Sequence, residues 1–332
     1  MIDFEGAARQ VAEDVLYPNA LATDQLDAVP VSNLDALAAA GLYGINGPLT
    51  PDGGTLDFEV AALVTEILAG ACLSTTFIWA QHQGLVRALT ENPTSLREEW
   101  LGPLCRGERR AGVALGGLLP GPPKLRATPD DGGGWRLDGI APWVTGWTRI
   151  DLLHTAARDA DDSVVWLMVD AVDQPGLTIE RQRLVAVDAS VTVELRFDGV
   201  RVPAERLIRT TPYEPGLYNL ERILRTAGFL SVGVADRCCR LLGPSPLDDE
   251  VMTVHKALLT TDADGIPAVR AAASELAARA AVTLVAATGS TSILVDRHPQ
   301  RLAREAMFLL VFGSRPPIKA ALLSLLGGPR PA

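Results

Sequence analysis

Lysine is nearly absent from this chain: among its 30 basic residues only Lys124, Lys256 and Lys319 are lysines. Aromatic residues make up 5% of the 332 residues, and there are four cysteines and four histidines. A net charge of -10 with so few stacking rings leaves neither a basic footprint for phosphates nor platforms for bases, which excludes nucleic acid as a partner. His82, His154, His255 and His298 are scattered without metal-ligand spacing, so no metal site is expected. Cys72, Cys105, Cys238 and Cys239 include no CxxC pair, and the adjacent two could form only a strained disulfide; all four read as reduced core thiols. No run approaches about eighteen uncharged apolar residues, and the opening MIDFEGAARQVAEDV lacks a basic-then-apolar signal. The expectation is a cytoplasmic protein with no membrane partner.

What is present is enough apolar residue, 48%, to fill the cores of two or three domains. Residues 1–111 read as helical. PVSNLDALAAAGLYGI offers a Ser/Asn cap and a stop at Gly41, and Val60, Leu63, Val64, Ile67 and Leu68 have the spacing of a buried helix face. LREEWLGPLCRGER adds a short helix.

Over residues 112–212 the period changes. Short β-rich runs are broken by Gly, Pro and Asp, and in SVTVELRFDGVRVP Val191, Val193, Leu195 and Phe197 alternate with polar residues, which predicts a half-buried antiparallel strand. Residues 213–332 return to helical spacing. Leu220, Ile223, Leu224, Ala227, Val234, Cys238 and Leu241 form one stripe ended by Gly243-Pro244, and the later runs predict a bundle of roughly four helices. The fold expected is multi-domain α and β: an N-terminal helical domain, a middle antiparallel β-barrel or sandwich, and a C-terminal helical bundle. No GxGxxG after a strand and no phosphate-cradling GxxxxGK[ST] interrupts this order.

That order, together with AAAGLYGINGPLTPDGGTLDFEVAALVTEILA, WRLDGIAPWVTGWTRIDLLHTAAR and FDGVRVPAERLI, resembles the acyl-CoA dehydrogenase family over nearly the whole chain. The family's Trp-Ile-Thr signature stands here as Trp143-Val144-Thr145. The resemblance implies FAD between the β domain and the bundle, with Trp143, Val144 and Thr145 contacting the flavin and Gly289-Ser290 at the place of a Gly-Gly turn near the pyrophosphate. It further implies an acyl-CoA or related acyl thioester as substrate, an electron-transfer flavoprotein or oxygen as acceptor, and a homo-oligomer. Catalysis in the family removes the acidic α-proton with a carboxylate while flavin N5 accepts the β-hydride.

Most family members carry that carboxylate in a Tyr-Glu-Gly-Thr turn after an Arg-Asp pair. Here the counterpart pair is Arg304-Glu305, and counting forward puts Phe312 at the Tyr position and Gly313 at the Glu position. The resemblance to the isovaleryl-CoA and long-chain branches, which also lack that Glu, implies a base on the first bundle helix: Glu221 in NLERILRTAG, followed by Arg222. Arg222 and Gly313 are then candidates for substrate contact. Read without the resemblance, Glu221 is a first-turn helix residue with Arg225 as its salt-bridge partner four residues on. His82 reads as a satisfied core residue rather than a catalytic one.

Two family stretches are replaced. ALGGLLPGPPK stands where a flavin-touching loop is usual, and GPSPLDDEV follows CCRLL where an Arg-x-x-Phe-Gly stretch helps hold FAD across subunits. Alternative readings are therefore a flavin-dependent monooxygenase or oxidase on the same fold, or a non-catalytic paralogue serving as a subunit or acyl-binding partner.

Overall fold

A computed structural model describes residues 3–49, 54–214 and 221–329. Leu220 of the predicted stripe and Gly53 of the Gly-Gly pair lie outside the described residues.

Helix α1 (Phe4–Val11) starts at an Asp3 cap whose carboxylate accepts from the Gly6 N–H, widens by one π-type turn over Ala12–Leu16, and continues as α2 (Tyr17–Asp24). α3 (Val31–Ala39), α4 (Phe58–Ala71), α5 (Leu73–Glu91) and α6 (Ser95–Cys105) complete the first helical layer. The cap expected from Ser32 or Asn33 on α3 is absent. The helix begins after Pro30, and the buried Asn33 amide donates instead to Thr75 Oγ1 at 3.2 Å, tying α3 to α5.

Eight strands follow: β1 (Ala111–Ala114), β2 (Leu125–Pro129), β3 (Trp135–Val144), β4 (Leu152–Arg158), β5 (Ser163–Asp170), β6 (Leu177–Arg181), β7 (Val193–Val202) and β8 (Leu207–Pro212). They lie in the order β6-β7-β3-β2-β4-β5-β8, with β1 parallel to β4; most of the other pairings are antiparallel. In β7 the predicted alternation holds for Val193, Leu195 and Phe197, then changes phase at a register shift against β3 between Leu137 and Asp138. Val191 is buried but precedes the strand, in a left-handed turn with φ 50°, so the predicted strand starts two residues too early.

The bundle comprises α7 (Glu221–Leu242), α8 (Leu247–Thr260), α9 (Ile266–Thr288), α10 (His298–Val311) and α11 (Pro316–Leu325), one helix more than predicted. α9 is at its centre, packed on α7, α10 and α11 through Ala273, Leu276, Ala277, Ala280 and Leu284. With its following turn α9 is long and apolar enough to cross a membrane by length and composition, although no such run was expected; its apolar character serves the bundle core on one face. The helical, β and helical order is that of the expected fold class.

Buried arginines finish the helix ends. Arg237 donates to Gly70 O at 3.0 Å at the end of α4, Arg225 donates to Leu258 O and Thr261 O at the end of α8, and Arg270 reaches Leu309 O at 3.2 Å and Phe312 O at 3.1 Å at the end of α10. A cation at a helix C-terminus satisfies orphan carbonyls and opposes the helix dipole. Helices α4 and α7 meet without side chains between them. A Cβ on Gly233 would sit 2.2 Å from Glu66 O, and one on Gly70 would sit 2.6 Å from Gly233 O. Only glycine at both positions permits this approach.

Candidate functional site

The N-terminal halves of α4 and α7 diverge from that crossing and, with α5 and β1, enclose a cavity of about 160 Å³. Phe58, Ala62 and Thr65 come from α4, Trp79, Gln83 and Arg87 from α5, Val113 from β1, and Arg222, Thr226 and Leu230 from α7. Phe312, just past α10, closes the wall. The lining is apolar with a few aimed polar groups, the usual make-up of a small-molecule site. Arg222 donates to Asn46 Oδ1 at 2.9 Å, and the Asn46 amide in turn donates to Gln83 Oε1 at 3.4 Å. The Arg222 guanidinium also lies 4.8 Å from the centre of the Phe58 ring. Burial lowers the pKa of both Arg222 and Arg87 from the usual arginine value, and each bears on a site with no acidic lining residue among those described.

Beside this cavity the chain is strained. Trp143, Thr148, Val187 and Val191 all have φ between 50° and 71°, a region costing roughly 1–3 kcal/mol per non-glycine residue. The two loops that hold them are stitched together: Gly146 N–H donates to Ser190 O at 2.8 Å and Trp147 N–H to Val191 O at 3.2 Å. The same turn leans on the cavity's wall, since Ile78 of α5 lies against Gly146 and the Thr145 carbonyl against Gly112 of β1. Trp143 itself is 64% exposed at the tip. Trp143 thus presents a preset, exposed indole near the end of β3. Val144 is fully buried and Thr145 nearly so; the Thr145 hydroxyl is 3.4 Å from Thr192 Oγ1, within the protein.

The other sequence candidates scatter. Gly289 and Ser290 are exposed where α9 ends, and neither lines the cavity. Gly313 follows Phe312 with φ 61°. Glu221 opens α7 one position before Arg222, yet its side chain turns to Arg225, whose Nε donates to Glu221 Oε1 at 2.8 Å, and it is not a lining residue. The Glu221 side chain is 49% exposed against 9% for Arg225. Arg304 donates to Asp24 Oδ1 at 3.1 Å and Glu305 accepts from Arg301 at 2.7 Å, both inside the helical packing. His82 is a core residue: its Nδ1 accepts from Ala111 N–H at 3.0 Å, so Nε2 carries the proton and donates to Leu104 O at 3.2 Å. Burial takes its pKa down to about 3.

The loop ALGGLLPGPPK folds back onto the sheet. Buried Arg158 donates to Gly117 O at 3.1 Å, Leu119 O at 3.2 Å and Gly121 O at 3.3 Å, which holds the loop away from ligand duty. All four cysteines are free thiols. Sequence reading passed over Arg87, Gln83 and Asn46. The signal it had was Gln83 and Arg87 at i, i+4, two polar groups in line on one face of a largely buried helix.

Known proteins agree with this architecture. The family model described as acyl-CoA dehydrogenase, N-terminal domain, matches residues 2–108. The short-chain specific mitochondrial acyl-CoA dehydrogenase of Bos taurus is 24% identical over 239 residues, 69% of this chain and 57% of that protein. The probable acyl-CoA dehydrogenase fadE25 of Mycobacterium leprae is 26% identical over 244 residues, 70% of this chain and 62% of that protein. The matches thus span less than two thirds of these relatives' length. Butyryl-CoA dehydrogenase from Megasphaera elsdenii superposes with a TM-score of 0.80 at 18% identity, covering 98% of this chain and 97% of that one. A glutaryl-CoA dehydrogenase from Mycobacterium smegmatis in complex with FADH2 does so at 0.78 and 19%, covering 98% and 94%. The helical, β and helical order, the matched N-terminal domain and these relatives make the chain similar to acyl-CoA dehydrogenases, in sequence over part of its length and in fold over nearly all of it.

Proposed function

We propose that the protein is an FAD-dependent α,β-dehydrogenase of an acyl-CoA thioester, with the acyl group in the α4–α5–β1–α7 cavity. The reading is supported by that mainly apolar cavity and by the strained turn after Trp143, which abuts Ile78 and Gly112, each next in sequence to a lining residue, and offers an exposed indole to a flavin. FAD, when bound there, supplies a hydride acceptor. The chain's own part is to exclude water through Phe58, Leu230 and Phe312, to orient the acyl group, and to take up the α-proton. Glu221 is the candidate base. It stands next in sequence to Arg222 of the cavity, and it acts once its carboxylate leaves Arg225 and turns through the angle that separates the two faces of α7. Electron-transfer flavoprotein or oxygen is the acceptor in this reading.

The test is anaerobic. Protein loaded with FAD should bleach on adding a suitable acyl-CoA, and Glu221→Gln should slow that bleaching by about two to four decades, the scale of lost general-base catalysis. Bleaching at the parental rate removes Glu221 from the chemistry. A second reading, a non-catalytic acyl-thioester-binding subunit, is favoured by a specific observation: no carboxylate lines the cavity among the described residues, and Glu221 is engaged by Arg225. Tight acyl-CoA binding without bleaching selects it.

We also infer a homo-oligomer. Trp143, Val185, Ile293, Val295 and Val311 are each more than 60% exposed, apolar side chains that a second copy would cover. Sedimentation at micromolar concentration should show at least a dimer.

A further inference from the structure

The cavity's charge does not suit a plain hydrocarbon tail. Two of its lining side chains are arginines, from different domains: Arg87 on α5 and Arg222 on α7. Each lies in the other's repulsive field, and burial disfavours the charge on both. No Asp or Glu lines the cavity among the described residues. The nearest acid, Glu91, is 3.9 Å from Arg87 and more than half exposed, so it compensates little. By contrast, Arg225, Arg237 and Arg301 each hold a carboxylate, and Arg270 holds helix-end carbonyls. Arg222 has one neutral partner, Asn46 Oδ1, and a ring face; Arg87 has only the distant Glu91. Two guanidinium groups thus line a cavity whose other lining residues carry no negative charge.

We propose that the cavity recognises an acyl chain ending in a second carboxylate, which Arg87 and Arg222 grip between them. A planar carboxylate accepts two N–H donors from one guanidinium side by side, and an anion relieves the repulsion between the two arginines. Phe58, Leu230 and Ala62 would pack the methylenes between that carboxylate and the thioester. This inference rests on the acyl-thioester reading above and narrows it to dicarboxylic acyl groups.

The experiment compares two ligands of equal chain length on the full-length protein with FAD added, by calorimetry and by the fluorescence of the cavity residue Trp79. Glutaryl-CoA carries a terminal carboxylate where pentanoyl-CoA carries a methyl. Glutaryl-CoA should bind about 10- to 100-fold more tightly, as charge-assisted bonds of this kind provide. The ratio should fall towards one in Arg87→Met, and should shrink as salt is raised in the parent protein, a measurement that does not depend on the variant folding. Equal binding of the two thioesters overturns the inference and leaves the acyl-thioester reading standing. Binding of neither overturns both. A preference that survives in a folded Arg87→Met protein removes Arg87 from the recognition and so overturns the two-arginine grip.

Discussion

The buried pair Arg301–Glu305 on α10 offers a sharp test of how this interior is held. Arg301 is fully buried and Glu305 3% exposed, with Nη1 2.7 Å from Oε1. A second Arg301 nitrogen donates to His298 Nδ1 at 3.3 Å, and His298, stacked on Tyr17, is kept neutral by burial with its pKa lowered to about 4. Arg301 Nε and Glu305 Oε2 have no hydrogen-bond partner among the described residues. Removing one ion leaves the other charged in a dry site, so Glu305→Leu or Arg301→Met alone should cost about 3–5 kcal/mol. At about 2–4 °C per kcal/mol for a chain of this size, the melting temperature drops by about 6–20 °C. The double variant Arg301→Met/Glu305→Leu removes both charges and both unpartnered atoms while keeping volume, so it should lie within about 1–2 kcal/mol of the parent. Urea unfolding of the three variants decides. A double variant as unstable as the sum of the singles refutes the argument, because the pair would then contribute net stability rather than merely tolerating its own burial.

Three further outcomes are expected. Glu66 on α4 and His255 on α8 share a 2.7 Å bond; burial raises the Glu66 pKa above its ordinary 4.5, and the Glu66 bond raises His255 above its ordinary 6.5. Both folded-state values exceed the unfolded ones, so the native state holds more protons and the pair's stability is lost as pH rises through His255's raised pKa. Asp236 and Glu59 act in the same direction, and urea midpoints should fall between pH 6 and 8 with a slope that His255→Gln flattens. Arg270→Met leaves the Phe312 carbonyl without its Arg270 donor and Leu309 O with the Ser274 hydroxyl, which should cost about 1–3 kcal/mol and, because Phe312 lines the cavity, weaken acyl-CoA binding in the same calorimetric titration. Gly233→Ala places a methyl 2.2 Å from Glu66 O and should lower stability by at least about 1–3 kcal/mol, seen as an earlier thermal transition.

Much of the fold was legible because it follows from spacing. The change from helical to alternating period near Ala111, the return to helical spacing before α7, and the alternation of Val193, Leu195 and Phe197 are all consequences of which face is buried. The start of β7 was misplaced because Val187 and Val191 adopt left-handed turns that nothing in a valine's preferences suggests. The site was less legible. Arg225, Arg237, Arg270 and Arg301 are polar letters that periodicity assigns to the surface, yet the first three are buried to finish helix ends elsewhere in the chain and Arg301 is buried against Glu305 one turn on. The cavity draws on Asn46, Arg87 and Arg222, residues that meet only through tertiary packing. Glu221 shows the same limit: sequence places it beside Arg222, but helix geometry puts neighbours about 100° apart, so one enters the cavity and the other meets Arg225.

The contact between Gly70 and Gly233 has a mechanical consequence for the cavity. Backbone lies on backbone there, with no side chain to rotate aside, so the closest approach of the two helices is set by atoms that no rotamer change can move. At the other end of the same pair, contact is made by side chains alone: Arg222 of α7 over the Phe58 ring of α4, and Phe58 against Phe229. The cavity thus has a wall whose spacing is fixed at one end and adjustable by rotamer at the other, and substitutions at Ala62 or Thr226 would change its volume without touching the glycine contact.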